Sequence, residues 1–427
     1  MNDSRAQRAT ATAWAVWCIA VACYVLAVAN RTSLSALGPM TQEHFSIDAT
    51  ALSSFTVLQL VVYAGMQVPV GALLDRYGSK AMVLSGGVIM LAGQLLLAMT
   101  EHVWLAVVAR MLVGAGDAFT FISVVRLLPA WFPPRNLPLM GQLTFMCGNL
   151  GQLVSVLPLA FAVDRFGWAT GFIGIAAVGA LVVLLAVVLL RDRPVGAAGL
   201  EPDDSPVSES VVPTPAGLRG ALSRPGVRLA FWVHFTAGFP QHLFLLLWGT
   251  PLLVGGLRFT TGQAAATLSG MVLVGVFIGL VLGRVTGRYA EQRVPIVIGS
   301  VSTVALAWIA LLAVPGMPPL WLTLLTITLT SSGGALSMVA LDVARTHAPA
   351  RSQGLAAGFV NMGAFIATLT AVFLIGLVLD LQGAGTPDTY ELGAFKLAFA
   401  TQVPLWALGI GMLVLEFRRT RRGGGAR

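Results

Sequence analysis

Apolar runs of about twenty or more residues, recurring from one end of the chain to the other, constrain this sequence more than any other feature. At 1.5 Å per residue, about 20 helical residues cross a hydrocarbon layer about 30 Å thick. A helix also satisfies its own backbone hydrogen bonds there, which an open strand cannot do. Of the 427 residues, 56% are hydrophobic and 10% charged, against roughly 25% charged in a soluble domain. The chain therefore reads as an all-α membrane protein embedded in a lipid bilayer.

Runs and breakers together predict 12 transmembrane helices: 12 to 37, 50 to 74, 81 to 100, 103 to 130, 137 to 162, 168 to 190, 229 to 254, 262 to 287, 294 to 313, 319 to 345, 352 to 379 and 393 to 417. Turn chemistry marks several breaks, among them Pro133-Pro134, the segment from Pro315 to Pro319, and Gly383 to Pro387. Arg5 and Arg8 followed by apolar residues and Ala27-Val28-Ala29 resemble a secretory signal. The run continues to about Leu37, however, and is read as span one.

With the N-terminus inside, twenty-one Lys and Arg fall in cytoplasmic segments, including Arg76, Lys80, Arg126, Arg191, Arg228, Arg293, Arg345 and the tail arginines. Only Arg165, Arg258 and Lys396 fall outside. The bias predicts a multi-pass protein of the cytoplasmic membrane with both termini cytoplasmic. The net charge of +8 is scattered over short loops, so no basic face for nucleic acid is expected. Cys18, Cys23 and Cys147 lie inside apolar runs and read as packing residues.

The halves repeat. Gly71-Ala72-Leu73-Leu74-Asp75-Arg76-Tyr77-Gly78 returns 212 residues later as Gly283 to Ala290, and Pro133-Pro134-Arg135 returns after 216 as Pro349-Ala350-Arg351. Two pseudo-symmetric six-helix bundles follow, 1–190 and 229–427, the second ending in a basic tail. Residues 191–228, with Glu201-Pro202-Asp203-Asp204 and Pro213-Thr214-Pro215, read as a flexible cytoplasmic linker. Such a repeat predicts a solute site near the membrane midplane.

These residues resemble the major facilitator superfamily over the whole chain. Gly71, Leu73, Asp75, Arg76, Gly78 and Lys80 match its signature after span two, and Arg110 with the glycine-rich turn to Gly116 matches its span-four signature. The resemblance implies the major facilitator fold and a gating role for the first signature. In it Gly71 and Gly78 permit close approach and a tight turn, and Asp75 accepts hydrogen bonds from a neighbouring helix terminus. The plainer reading is a loop that only sets topology. Arg126 and Asp342 are related by the same offset of 216 and read either as a latch between halves or as local pairs, Asp342 with Arg345.

An ionisable residue inside a span is costly, and so is a functional candidate. Arg31 lies about 18 residues into span one with no route to snorkel inward. Asn30-Arg31-Thr32-Ser33-Leu34 is similar to the span-one arginine of organophosphate antiporters and organic anion symporters, which implies contact with an anionic solute. Its planar fork suits carboxylate, phosphate or sulfate. Arg110 and Asp117, two turns apart, share one face of span four, so Asp117 either carries a coupling proton or stays ionised against an arginine. Gln59, Tyr63 and Gln67 form a polar stripe at four-residue steps, which Tyr24 joins, and it reads as the lining of a wet solute-binding cavity. Gln241 and His242 follow Pro240 in span seven, where His242 is read as a ligand for solute or proton, or as an interhelical bridge. His234 reads as structural. Gly148-Asn149-Leu150-Gly151, echoed by Asn361-Met362-Gly363, looks like an element of nitrate and nitrite porters, yet no arginine stands in the middle of spans two and eight. Close helix packing explains the same residues. Span five also lacks the ending typical of drug and proton antiporters.

The expected function is secondary active transport of a small anionic organic solute by alternating access, with a proton or other ion coupled by symport. The alternatives are drug or metabolite efflux by proton antiport and a transporter-like sensor. No phosphate-cradling G-x-x-x-x-G-K-[ST] loop appears and no His, Cys and acidic cluster has metal-ligand or nucleophile spacing, so neither an enzyme, a cofactor nor a metal is expected.

Overall fold

The structure is a computed structural model that describes residues 11–47, 49–194, 220, 222–349 and 352–424. Arg5, Arg8, Arg219, Arg351, Arg427 and most of the expected linker lie outside the described residues. Every regular element among the described residues is helical.

Ten helical segments among the described residues are long and apolar enough to cross a membrane. One of them, Val57–Met99, has 43 residues, which is about 65 Å of helix at 1.5 Å per residue, twice what one crossing needs. It belongs to the helix Ala49–Met99, which turns sharply at Gly78, where φ is 78° and ψ is 171°. A backbone of that kind is open to glycine and strained for other residues, and it separates spans two and three. Span five, outside those ten, runs as Leu137–Asn149, Gly151–Val154, a π-helical turn Ser155–Leu159 and Ala160–Phe166. Pro158 has no N–H for the helical ladder, and the π turn accommodates that loss. Twelve crossings result among the described residues.

Span one is Ala11–Ala36, span six Trp168–Leu189, span eight Thr261–Arg288, span nine Arg293–Ala313 and span eleven Gln353–Leu381. Span eight begins with a capping box, in which Thr260 Oγ1 accepts from Gln263 N at 3.2 Å and Thr260 N donates to Gln263 Oε1 at 2.9 Å. Span seven, from Pro225–Leu243, continues through π turns at Phe244–Trp248 and Leu252–Gly256. Span four is interrupted between Val103–Ala118 and Phe121–Trp131, and span ten between Leu320–Thr330 and Gly333–His347. These breaks are related by the same 212-residue offset that relates the two signatures, since Ala118 maps to Thr330 and Phe121 to Gly333. The repeat therefore extends to a backbone irregularity, which hydropathy did not reveal.

The chain divides into two compact units, one of Met1–Ala221 with Pro349–Phe359, the other of Leu222–Ala348 with Val360–Arg427. The first has an aromatic and aliphatic core around Leu34, Phe55, Leu97, Trp168 and Phe172. The second packs Phe239, Phe244, Trp308, Phe395 and Phe399. Trp308 and Phe399 stack with centroids 5.3 Å apart, and the Trp308 indole donates to Thr330 Oγ1 at 2.9 Å. Glu416, buried on span twelve, is held by Arg228 at the start of span seven (3.1 Å) and by Arg419 (2.9 Å). A buried carboxylate is costly without partners of this kind.

Candidate functional site

Span one approaches span five closely enough that side chains are excluded. A Cβ on Gly148 would overlap the Tyr24 ring, and one on Gly151 would overlap the Val25 carbonyl. The Gly-Asn-Leu-Gly element thus works as a packing surface. Its Asn149 donates to the Phe145 carbonyl of its own helix at 2.9 Å. Tyr24, pressed against Gly148 and 5.0 Å from the Phe121 ring, is itself buried.

This packing fixes the stretch of span one that carries Arg31. Its Nη1 lies 3.3 Å from Oδ2 of Asp117 on span four, and its guanidinium stands 5.6 Å from the centre of the Tyr63 ring on span two. Arg110 and Asp117 share a helix face as the sequence predicts, but Arg110 is not the ion-pair partner of Asp117. Its guanidinium donates to the carbonyls of Asn30 (3.1 Å) and Arg31 (2.7 Å), to Ser33 Oγ (3.1 Å) and to Gln59 Oε1. The reason is reach: seven residues place Arg110 about 10 Å along the helix from Asp117, against Asn30, Arg31 and Ser33 near the end of span one.

Residues that the sequence did not single out complete the cluster. Gln94 on span three, with no exposed surface, donates to Asn30 Oδ1 at 2.7 Å. Thr32 and Ser155 bring their hydroxyls within 2.7 Å, and Ser155 donates to the Ala29 carbonyl at 2.9 Å. A glutamine or serine alone in an apolar run has no periodicity to announce it. Of the span-two stripe, Gln59 and Tyr63 meet the arginines, whereas Gln67 donates to the Tyr63 carbonyl at 3.3 Å on its own helix.

The electrostatic sum matters most. Arg110 and Asp117 are 1% and 0% exposed, Arg31 is half-hidden, and Asp117, paired with Arg31, is the one carboxylate of this cluster among the described residues. The cluster carries one unmatched positive charge in a setting where the effective dielectric is far below that of water.

In the second unit Gln241 Oε1 accepts from the N–H of Gly334, an orphan donor where span ten resumes. His242 Nδ1 lies 2.7 Å from the Gly238 carbonyl, with its ring 5.7 Å from Phe365. His234 Nδ1 is 3.0 Å from the Ser337 carbonyl, and Asn361 is buried.

The signature after span two is tied at both ends. Asp75 Oδ1 and Oδ2 accept from the N–H groups of Gly354 (2.7 Å) and Leu355 (2.8 Å), in the first turn of span eleven. That stretch belongs to Pro349–Phe359, the segment grouped with the first unit. A carboxylate on a helix N-terminus meets both orphan donors and the positive end of the dipole. A Cβ on Gly71 would strike the Gly354 carbonyl. Arg126 Nη1 is 3.0 Å from Asp75 Oδ1, and Asp342 pairs with Arg345 at 3.1 Å. Both charges proposed for a latch therefore have neighbours within their own units. Lys80 N donates to Asp192 Oδ1 at 2.9 Å and Lys80 Nζ to the Val187 carbonyl at 2.6 Å, while Arg76 lies 5.1 Å from the centre of the Tyr77 ring.

A sequence profile of the Major Facilitator Superfamily matches residues 20–423. The chain belongs to this superfamily. Its family and fold are those of multi-pass membrane transporters rather than of enzymes. The fold is shared with FucP, a transporter of the superfamily solved in its outward conformation, with a TM-score of 0.66 at 17% identity, covering 92% of this chain and 98% of that one. The "Probable galactarate/D-glucarate transporter GudP" of Bacillus subtilis is 23% identical over 87% of this chain and 86% of its own. The "Uncharacterized transporter YybO" of the same organism is 28% identical over 42% of each chain. The "Probable sulfoacetate transporter SauU" of Cupriavidus necator is 24% identical over 40% of each. The match thus spans about two fifths of the length of the last two.

Proposed function

We propose that this major facilitator transports a small organic anion by alternating access, with symport of a proton. The observation that carries the reading is the buried cluster of Arg31, Arg110 and Asp117, two cations to one anion. A carboxylate or sulfonate on the solute would supply the missing negative charge, and Arg31 offers it a planar two-pronged donor. Asp117 competes with the solute for Arg31. Its protonation would release the arginine, which couples proton and anion in one step. Gln59 and Tyr63 would steady Arg31. Tyr24, Gln67 and Asn149 would support helix packing. Galactarate, glucarate and sulfoacetate, named for two relatives, are acids ionised at neutral pH, in keeping with this reading.

The membrane is proposed to be the cytoplasmic one, with both termini inside, on the strength of the arginine bias. The six-helix division at residues 191–228 stands on the repeats.

A thermal-shift panel tests the substrate class. Glucarate, galactarate and sulfoacetate should raise the melting temperature of the purified transporter, and quaternary ammonium drugs should not. Stabilisation by the cations and by no anion would end the anion reading.

Asp75 would act as the gate at the signature loop. Asp75→Ala removes two charge-assisted hydrogen bonds to span eleven, each contributing about 1.5–3 kcal/mol. Transport should slow by tenfold or more with solute affinity changed less than twofold. A loss of affinity at unchanged rate would assign Asp75 elsewhere.

A further inference from the structure

We propose that the second unit holds a binding cleft for a phosphate group, supplied either by the headgroup of an anionic phospholipid or by a free phosphate ester. The cleft, of ≈ 180 Å³, lies among the arginine-bearing ends of spans seven, nine, ten and twelve. It is remote in sequence from the Arg31 cluster and independent of the proposed transport reaction.

Two cations face it, Arg293 and Arg421. Arg293 is anchored by its Nε, which donates to the Thr286 carbonyl at 2.9 Å. That bond leaves the two terminal amino groups, a fork suited to phosphate oxygens. Arg421 is steadied with its guanidinium 5.0 Å from the centre of the Phe417 ring, and a stacked arginine keeps its edge donors available. One carboxylate, the exposed Glu291, also lines the cleft, so positive charge is in excess there.

Neighbouring acids do not cancel that excess. Glu416 is engaged by Arg228 and Arg419, and Asp342 by Arg345, although Asp342 also feels Arg293. Two hydroxyls complete the polar wall. Thr346 Oγ1 donates to the Val343 carbonyl at 2.9 Å and lies 3.0 Å from Nδ1 of His347, which also lines the cleft, while Thr420 Oγ1 donates to the Glu416 carbonyl at 2.8 Å and presents its lone pairs to a ligand hydroxyl. Leu229 and Val343 give the cleft an apolar side. Phosphatidylglycerol combines these demands, with a phosphate for the arginines, glycerol hydroxyls for the threonines and an apolar stem.

Full-length protein stripped of lipid in detergent is the material for the test. Native mass spectrometry would follow retention of phosphatidylglycerol against phosphatidylcholine, with inorganic phosphate added as competitor. The wild type should retain phosphatidylglycerol, and Arg421→Gln and Arg293→Gln/Arg421→Gln should weaken it about tenfold or more, as expected for losing a charge-assisted contact. Arg422→Gln, one residue beyond the cleft, should change it less than twofold. Because Arg293 also holds Thr286, Arg421→Gln alone decides the matter if the double variant does not fold. Retention that phosphate displaces identifies the headgroup. Thermal protection by phosphate without lipid retention identifies a free phosphate ester. Equal retention of both lipids together with no protection by phosphate, or wild-type behaviour of Arg421→Gln, would overturn the proposal.

Discussion

Arg31→Gln should abolish saturable anion binding, lowering affinity at least a hundredfold. The substitution takes the cluster from one net positive charge to none, because Arg110 and Asp117 then balance. It also removes the one guanidinium not committed to backbone carbonyls, since Arg110 is spent on Asn30, Arg31, Ser33 and Gln59. A hundredfold loss corresponds to about 2.7 kcal/mol, within the range of a charge-assisted bond lost from a desolvated site. Isothermal titration with glucarate or sulfoacetate would measure it. The control is Arg31→Gln/Asp117→Asn, which restores a net charge of one while leaving Arg31 absent. If the double variant binds as well as the wild type, net charge alone governs the site and the directional role of Arg31 falls.

Asp117→Asn should separate solute binding from proton coupling. Asparagine imitates the protonated carboxyl, so Arg31 is released toward the solute and anion affinity should rise about tenfold, the equivalent of 1.4 kcal/mol. In proteoliposomes with an acid exterior, uphill accumulation should disappear while solute exchange across the membrane continues. The pH dependence of binding should flatten with it. A purely structural role gives a different signature, because breaking a buried ion pair costs about 3–5 kcal/mol. The variant would then melt earlier, and binding, exchange and accumulation would fall together.

The crossings were legible because each depends on composition over about twenty residues, which averages out local irregularity. Span five shows where that averaging ends. Its apolar run was visible, but the π turn at Ser155–Leu159 depends on how Pro158 is accommodated against neighbours. Arg31 and Asp117 could be singled out because charge inside a span is rare in any context. Their pairing could not, since a helix face says which way a side chain points and nothing about what enters from another helix. Arg110 and Asp117 share a face, yet the carboxylate meets Arg31 and the guanidinium meets span one. Gln94 escaped notice because a single amide among leucines looks like a tolerated exception until its partner, Asn30, is seen 64 residues away. Asp75 was legible through its motif, while the exact donors, Gly354 and Leu355, are set by long-range packing.

The Arg228–Glu416 clamp has a consequence for how the protein is made. The two residues are 188 positions apart. At roughly 5–20 residues per second, a ribosome needs roughly ten to forty seconds to travel from one to the other. For that interval the arginine at the start of span seven exists without the carboxylate that will pair with it. A product truncated before span twelve keeps that deficit permanently, so the clamp also marks whether the last helix was completed.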